Sequence, residues 1–187
     1  MIVNDIFSGV LQINDTIYND KRGFFSEIYN KEEFSNIEIK NTFIQDNLSY
    51  SEKRGTLRGL HYQVNPYPQS KLLRVIKGKI LDCFVDLRIG SQTYEKYSSI
   101  ELDQSSGWIY IPKGFAHGFC TLEDNVTIIY KVDEFYSSED DRGIAWNDPF
   151  FNINWPIDEA KLIISDKDRN LPEWDKLKKE NKFYYEK

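Results

Sequence analysis

A chain of 187 residues, 40% hydrophobic and 15% aromatic, is long enough to bury its own core and too apolar to stay disordered. Its formal net charge of −6, with no long basic run, argues against nucleic acid as a partner. No stretch approaches a membrane span, and the start Met1-Ile-Val-Asn-Asp5 lacks the basic and apolar regions of a signal peptide. Cys83 and Cys120 each sit inside an apolar run and form no metal-type pair, so buried thiols and a cytoplasmic location are the expectation. Without linker, repeat or low-complexity tract, residues 1–187 read as one domain.

In chain order, Ile6–Ile17 reads as extended and Asn19–Gly23 as a turn. Arg22–Ile28 reads as a strand, Lys31–Phe34 as one helical turn, Thr42–Asn47 as short and β-like, and Leu48–Arg54 as a polar loop. The stretch Gly55-Thr-Leu-Arg-Gly-Leu-His-Tyr-Gln63 suits a half-buried strand. Strict alternation would send Arg58 and His61 to opposite faces, but Gly59 between them marks a bulge that would bring both to one pocket. Lys71–Gly78 and Ile80–Leu87 read as alternating strands, with Lys77-Gly78 as a hairpin turn. Tyr97–Leu102, Gly107–Pro112 and Asn125–Phe135 complete the strands. Short strands separated by turns about every eight to twelve residues predict an antiparallel sandwich or barrel. From Glu173 to Tyr184 the pattern is helical, with Trp174, Leu177 and Phe183 on one side.

The segment Gly107-Trp-Ile-Tyr-Ile-Pro-Lys-Gly-Phe-Ala-His117-Gly118 resembles the second cupin motif, in which a strand ends at a Pro/Gly turn and leaves a histidine pointing into the barrel mouth. The His-x-His pair through which many cupins bind metal is absent, because Tyr62 and Gln63 follow His61. With two histidines in all, no three-histidine site can form in one chain, and no catalytic metal is expected.

Further motifs run from Arg22-Gly-Phe-Phe-Ser-Glu27 to Ser165-Asp-Lys-Asp168. Between them lie Gln45-Asp-Asn47, Leu57-Arg-Gly-Leu-His-Tyr-Gln63, Gln69-Ser-Lys-Leu-Leu-Arg-Val75, Val85-Asp-Leu-Arg88 and Pro112-Lys-Gly-Phe-Ala-His-Gly-Phe119. Tyr130-Lys-Val132, Gly143-Ile-Ala-Trp-Asn-Asp-Pro149 and Asn154-Trp-Pro156 follow. Together they resemble the nucleoside-diphosphate-sugar 3,5-epimerase family typified by dTDP-4-dehydrorhamnose 3,5-epimerase. The resemblance implies a mainly β fold with short helices, a cupin-type double-stranded β-helix, a strand-exchanged homodimer, and no cofactor.

It also implies roles. Inverting a carbon beside a ketone requires a base, an acid across the ring and a positive donor at the ketone oxygen. His61 would be the base, with Asp168 fixing its tautomer, a pairing that only the resemblance supplies. Tyr130, on the strand side of Val126, Ile128 and Val132, would be the acid. Lys71, sharing a side with Leu73 and Val75, would hold the enolate. Arg58 and Arg22 would bind the pyrophosphate, and His117 would line the same pocket. Phe25, Glu27, Gln45, Asn47 and Tyr136 match family positions around the base and sugar, some of them reaching across the dimer. Two segments depart from the family pattern: Asn47–Gly55 is one residue longer, and Val132–Asp141 carries Ser138 where proline is common. The nucleotide (dTDP, GDP or CDP), the sugar (hexose or heptose) and inversion at C3, C5 or both stay open. A single-centre epimerase, a ketoisomerase and a non-catalytic sugar-nucleotide-binding cupin are the alternatives.

Overall fold

A computed structural model of the chain describes residues 2–185. Its strands are β1 (Ile2–Phe7), β2 (Val10–Asn14), β3 (Tyr18–Asp20), β4 (Gly23–Phe25), β5 (Gln45–Ser51), β6 (Thr56–Gln63), β7 (Lys71–Lys77), β8 (Ile80–Asp86), β9 (Tyr97–Leu102), β10 (Trp108–Ile111), β11 (Phe115–Thr121), β12 (Val126–Val132), β13 (Asp141–Gly143) and β14 (Ile163–Ile164). Three short α-helices, α1 (Lys31–Asn36), α2 (Asp166–Arg169) and α3 (Trp174–Leu177), and one 3-10 turn (Glu159–Lys161) accompany them among the described residues.

One sheet has the order β1-β2-β10-β7-β12-β5, and the other β13-β6-β11-β8-β9 with β14 lying parallel beside β6. From β5 to β13 the chain crosses between the sheets at every connection except β8 to β9. This winding is the mainly β, double-stranded β-helix that the family resemblance implies. It corrects the Lys77-Gly78 hairpin: β7 pairs with β10 and β12, β8 pairs with β9 and β11, and neither pairs with the other. Both strands are rich in buried residues, so each is satisfied only in the interior of a sheet with a neighbour on each edge.

Between the sheets lies a core drawn from both, including Leu73, Val75, Ile80, Phe84, Ile109, Phe119 and Ile128. Each large apolar side chain buried here stabilises the fold by about 1.5–3 kcal/mol. The outer face of the second sheet is covered by the C-terminal segment, where Trp174 and Phe183 pack against Leu60, Tyr62 and Val85. Helix α1 places Phe34 with Ile13, Leu72 and Trp108 on the outside of the first.

Four other boundaries differ from the sequence reading. Ile6–Ile17 is broken by a two-residue turn in which Ser8 and Gly9 both take positive φ, 49° and 91°, so β1 and β2 form a hairpin. Leu48–Ser51 continues β5 rather than looping, because pairing with β12 outweighs its polar composition. Phe115–Thr121, with the second cupin-like histidine, is itself a strand, buried along its whole length. The tail helix ends at Leu177; Phe183 reaches the apolar cluster from extended backbone, held where the Asn181 side chain bonds the Leu87 carbonyl and the Phe183 N–H.

Candidate active site

The site is built on a register shift. His61 faces His117 and Arg58 faces Phe119, so three steps along β6 match two along β11. One extra residue in β6 restores Arg58 and His61 to the same face, the outcome expected from Gly59. Gly59 has φ +114°, and a Cβ there would lie 2.6 Å from the Gly118 Cα. Gly118 is equally confined, its own Cβ position being 2.7 Å from the Arg58 carbonyl oxygen. Two glycines facing each other let the strands close on the bulge.

Arg58, His61 and His117 from this sheet, Lys71 and Tyr130 from the other, and Asp168 from α2 line one cavity of about 300 Å³ between the sheets. His61 and Tyr130 thus stand on opposite walls. His61 Nε2 lies 2.7 Å from Asp168 Oδ1, while the second carboxylate oxygen accepts the Gly59 N–H at 3.1 Å. Burial alone would raise the Asp168 carboxyl; the His61 ring and the Gly59 N–H outweigh it and hold the group below its ordinary value. A carboxylate only accepts, so Nε2 carries the ring proton and Nδ1 the lone pair. Asp168 is delivered by Ser165, which caps α2 and accepts the Asp168 N–H. Strand β14, pairing with Thr56 and Leu57, docks that segment on β6.

Lys71 bonds the His61 carbonyl oxygen at 3.3 Å through Nζ. Burial lowers its ammonium to about 8, against the opposing pull of Asp141 and Asp82. Burial raises the Tyr130 phenol, with Arg58 pulling the other way. Arg58 donates to the Tyr50 carbonyl oxygen at 3.2 Å. His117 Nε2 lies 2.6 Å from Asp82 Oδ1, in a second, deeper histidine–carboxylate pair.

The remaining candidates are elsewhere. Arg22 is 83% exposed and bonded to Asp20; Phe25 is 67% exposed on β4, which pairs only with β3. Glu27 bonds Asn30 and lines a separate hollow with Tyr18 and Glu33. Gln45 donates to Asn47 at 2.8 Å on the sheet-edge strand β5; neither lines the cavity, but Asn47 pairs directly with cavity-lining Tyr130. Tyr136 is exposed and donates to Asp141 at 3.1 Å. Asp141 also receives Lys167, a cavity-lining residue that the sequence reading passed over although it stands immediately before Asp168. Ser49 and Ser165 line the cavity too, unannounced by any local pattern. Among the described residues, no cluster of three or more His, Cys, Asp or Glu is placed to hold a metal, and no helix is long and apolar enough to cross a membrane.

Comparison with known proteins bears on this geometry. The profile of the dTDP-4-dehydrorhamnose 3,5-epimerase family matches residues 5–176. The dTDP-4-dehydrorhamnose 3,5-epimerase of Methanothermobacter thermautotrophicus is 45% identical over 178 residues, 94% of this chain and 93% of that protein. A crystal structure of the Bacillus anthracis enzyme of that name, with TDP and PPi bound, superposes with a TM-score of 0.88 at 42% identity, covering 92% of this chain and 98% of that one. The Legionella pneumophila dTDP-6-deoxy-D-glucose-3,5-epimerase, in complex with dTDP-4-keto-L-rhamnose, gives 0.91 at 34% identity over 100% of this chain and 99% of that one. With its cupin-type fold and its motifs spanning most of its length, the chain belongs to the dTDP-4-dehydrorhamnose 3,5-epimerase family, isomerases of nucleotide sugars.

Proposed function

We propose that the chain epimerises a dTDP-linked 4-keto-6-deoxy sugar at C3 and C5 without metal or organic cofactor. The observation that carries this reading is the pairing of walls: the His61–Asp168 dyad on one side of the cavity, Lys71 and Tyr130 on the other. A ketone at C4 acidifies the protons at C3 and C5. His61 Nδ1 takes one of them, and Asp168 stabilises the imidazolium that results. Charge moves to the C4 oxygen, where the Lys71 ammonium stabilises the enolate. Tyr130 then returns a proton from the opposite face, and the centre is inverted. Burial keeps that phenol protonated, ready to donate.

The nucleotide end is assigned to Arg58, whose guanidinium fork suits phosphate oxygens. Arg22, Phe25, Glu27, Gln45, Asn47 and Tyr136 are assigned to the substrate as well. Those on the exposed β3–β4 hairpin would act on the cavity of a second copy in a strand-exchanged homodimer. A two-stranded hairpin is marginal by itself in water, and its exposed Tyr18, Phe24 and Phe25 support a covered position there. We assign the enzyme, as one domain, to the cytoplasm, where nucleotide sugars are made.

The test is incubation in heavy water with dTDP-, GDP- and CDP-linked 4-keto-6-deoxyglucose, read by proton NMR. The expected result is deuterium at both C3 and C5 of the dTDP sugar, with activity surviving exhaustive chelation. Deuterium at one carbon only would make it a single-centre epimerase; turnover lost with a removable metal would end the cofactor-free reading.

A further inference from the structure

A buried glutamine grips the segment between β12 and β13. Gln63 follows His61 by two residues at the end of β6, is 4% exposed, and is not among the residues lining the cavity. Its Nε2 donates to the Tyr67 carbonyl oxygen at 2.6 Å and to the Phe135 carbonyl oxygen at 3.1 Å, and its Oε1 accepts the Ser137 N–H at 2.8 Å. Two carbonyls and one N–H fit only one orientation of a side-chain amide, so the partners themselves fix which end is nitrogen.

Tyr136 stands between the two gripped groups. One amide thus holds the backbone on both sides of that residue, at the Phe135 carbonyl before it and the Ser137 N–H after it. Gln69 adds a bond from its Nε2 to the Glu134 carbonyl oxygen at 2.8 Å, one residue further back. The grip does not serve to pack the rings, because Phe135 and Tyr136 are 63% and 59% exposed. An exposed segment can satisfy its backbone with water, whereas ordering a long buried side chain costs conformational entropy. What the bonds achieve is a fixed place for the Tyr136 ring. Asp141, which pairs with Gln63 in the β6–β13 ladder, accepts from the Tyr136 hydroxyl at 3.1 Å and also receives Lys167 of the cavity wall. The ring is therefore one carboxylate away from the cavity, at its rim.

We propose that Gln63 is a positioning residue for the nucleotide end of the substrate: it orders residues 134–137 before binding, so that the Tyr136 ring is in place when the nucleotide arrives. The reacting sugar belongs inside the cavity, so a ring at the rim meets what projects from it. A segment left loose would have to be ordered during binding, and affinity would fall by that cost. Gln63 also ties the strand of the base to the segment that leaves β12 two residues after Tyr130, so the rim is referenced to both walls at once. That Tyr136 meets substrate rests on the epimerase reading; that Gln63 orders the segment does not.

Two measurements on the full chain test it. In the free protein, amide hydrogen exchange read by NMR should show the Ser137 N–H protected; Gln63→Met should remove that protection while β6 and β12 keep theirs. A Ser137 amide that exchanges in the wild type as an unbonded group overturns the proposal, whether or not the protein binds a sugar nucleotide and whether or not any variant folds. The second measurement is a double-mutant cycle on dTDP affinity, read by calorimetry. Gln63→Met should weaken dTDP about two- to tenfold, the cost of ordering a side chain on binding, and raise KM by the same factor with little change in kcat. In a Tyr136→Ala background the same substitution should cost nothing, because no ring is left to place. In an Arg58→Ala background it should cost its full factor. An equal penalty in all three backgrounds, or a lower Tm with affinity unchanged, would make Gln63 merely structural. If Gln63→Met does not fold, Gln63→Glu, which keeps the acceptor and loses both donations, carries the cycle. Absence of dTDP binding by the wild type would overturn the epimerase reading and with it the part of Tyr136, while the exchange result still decides whether Gln63 orders the segment.

Discussion

The barrel mouth and the β3–β4 hairpin carry candidate residues of very different standing. At the mouth, His61, Lys71, Tyr130 and Asp168 come from four separate elements, yet one chain brings them to a single cavity. On and beside the hairpin, Arg22, Phe25 and Glu27 face away from that cavity and bond only to near neighbours or to nothing. The difference follows from what each group must do. On the proposed reading the groups at the mouth transfer protons, which tolerates little error in distance, and three of them sit on strands interior to their sheets and the fourth on a capped helix. In the proposed dimer, grip on a nucleotide would be completed from outside, by a second copy whose hairpin would cover its apolar side chains as it docks.

Breaking the mouth should cost most. His61→Asn should leave the fold intact and lower turnover by at least about 10²–10⁴-fold, the usual contribution of a positioned base. Deuterium exchange at C3 and C5 should fall with it; near wild-type exchange would remove His61 from its role. Tyr130→Phe should separate two steps. It keeps the ring in the core and loses the phenol, so exchange at C5 continues from the His61 side while inverted product falls by about 10²-fold. Full inversion by this variant would assign the donor elsewhere.

Arg58→Ala touches the binding end of the same cavity. A charge-assisted bond to phosphate is worth about 1.5–3 kcal/mol, so dTDP affinity measured by calorimetry should drop about ten- to hundredfold. An unchanged affinity would reassign Arg58 to holding the Tyr50 carbonyl. Lys71 sets a milder limit through pH. It is charged below about 8 and neutral above, so on the alkaline side kcat should fall about tenfold per unit once pH passes that value. Lys71→Arg, charged throughout, should move the fall to higher pH; a limb that stays in place would belong to another group.

How much of this was legible depended on whether a residue's signal was local. Alternation in β6, with a glycine interrupting it, was enough to foresee that Arg58 and His61 share a pocket. The Pro112–His117 motif foretold a histidine at the mouth. No local pattern joins Asp168 to His61, because the contact spans 107 residues and depends on β14 and the α2 cap; only resemblance supplied it. Sheet membership was equally hidden. A buried strand looks the same whether the next strand pairs with it or crosses to the facing sheet, which is why Lys77-Gly78 read as a hairpin. Asp82 stands at an inward position between Ile80 and Phe84, but its partner His117 lies on the neighbouring strand and no local pattern joins the two. The tail shows chemistry outlasting geometry: Trp174, Leu177 and Phe183 do meet, though one helical turn and an extended segment bring them together.

The smallest effect is the one that decides whether hairpin and mouth belong to one site. Arg22→Ala removes an exposed side chain whose partner within the chain is Asp20, two residues away, so a single copy should not feel it. If Arg22 instead reaches the cavity of a second copy, the variant should bind dTDP several-fold more weakly with its stability unchanged. Mixing then gives a sharper reading than either variant alone. Arg22→Ala supplies an intact His61, and His61→Asn supplies an intact Arg22. Co-refolded in equal amounts, half of the dimers are mixed, and each mixed dimer carries one site with both residues, about a quarter of all sites. Activity at low substrate should therefore rise above the mean of the two parents, towards a quarter of wild type from the complemented sites plus the residual of the others. An activity equal to the mean of the parents would place Arg22 outside the site, and the hairpin's exposed aromatics would need another account.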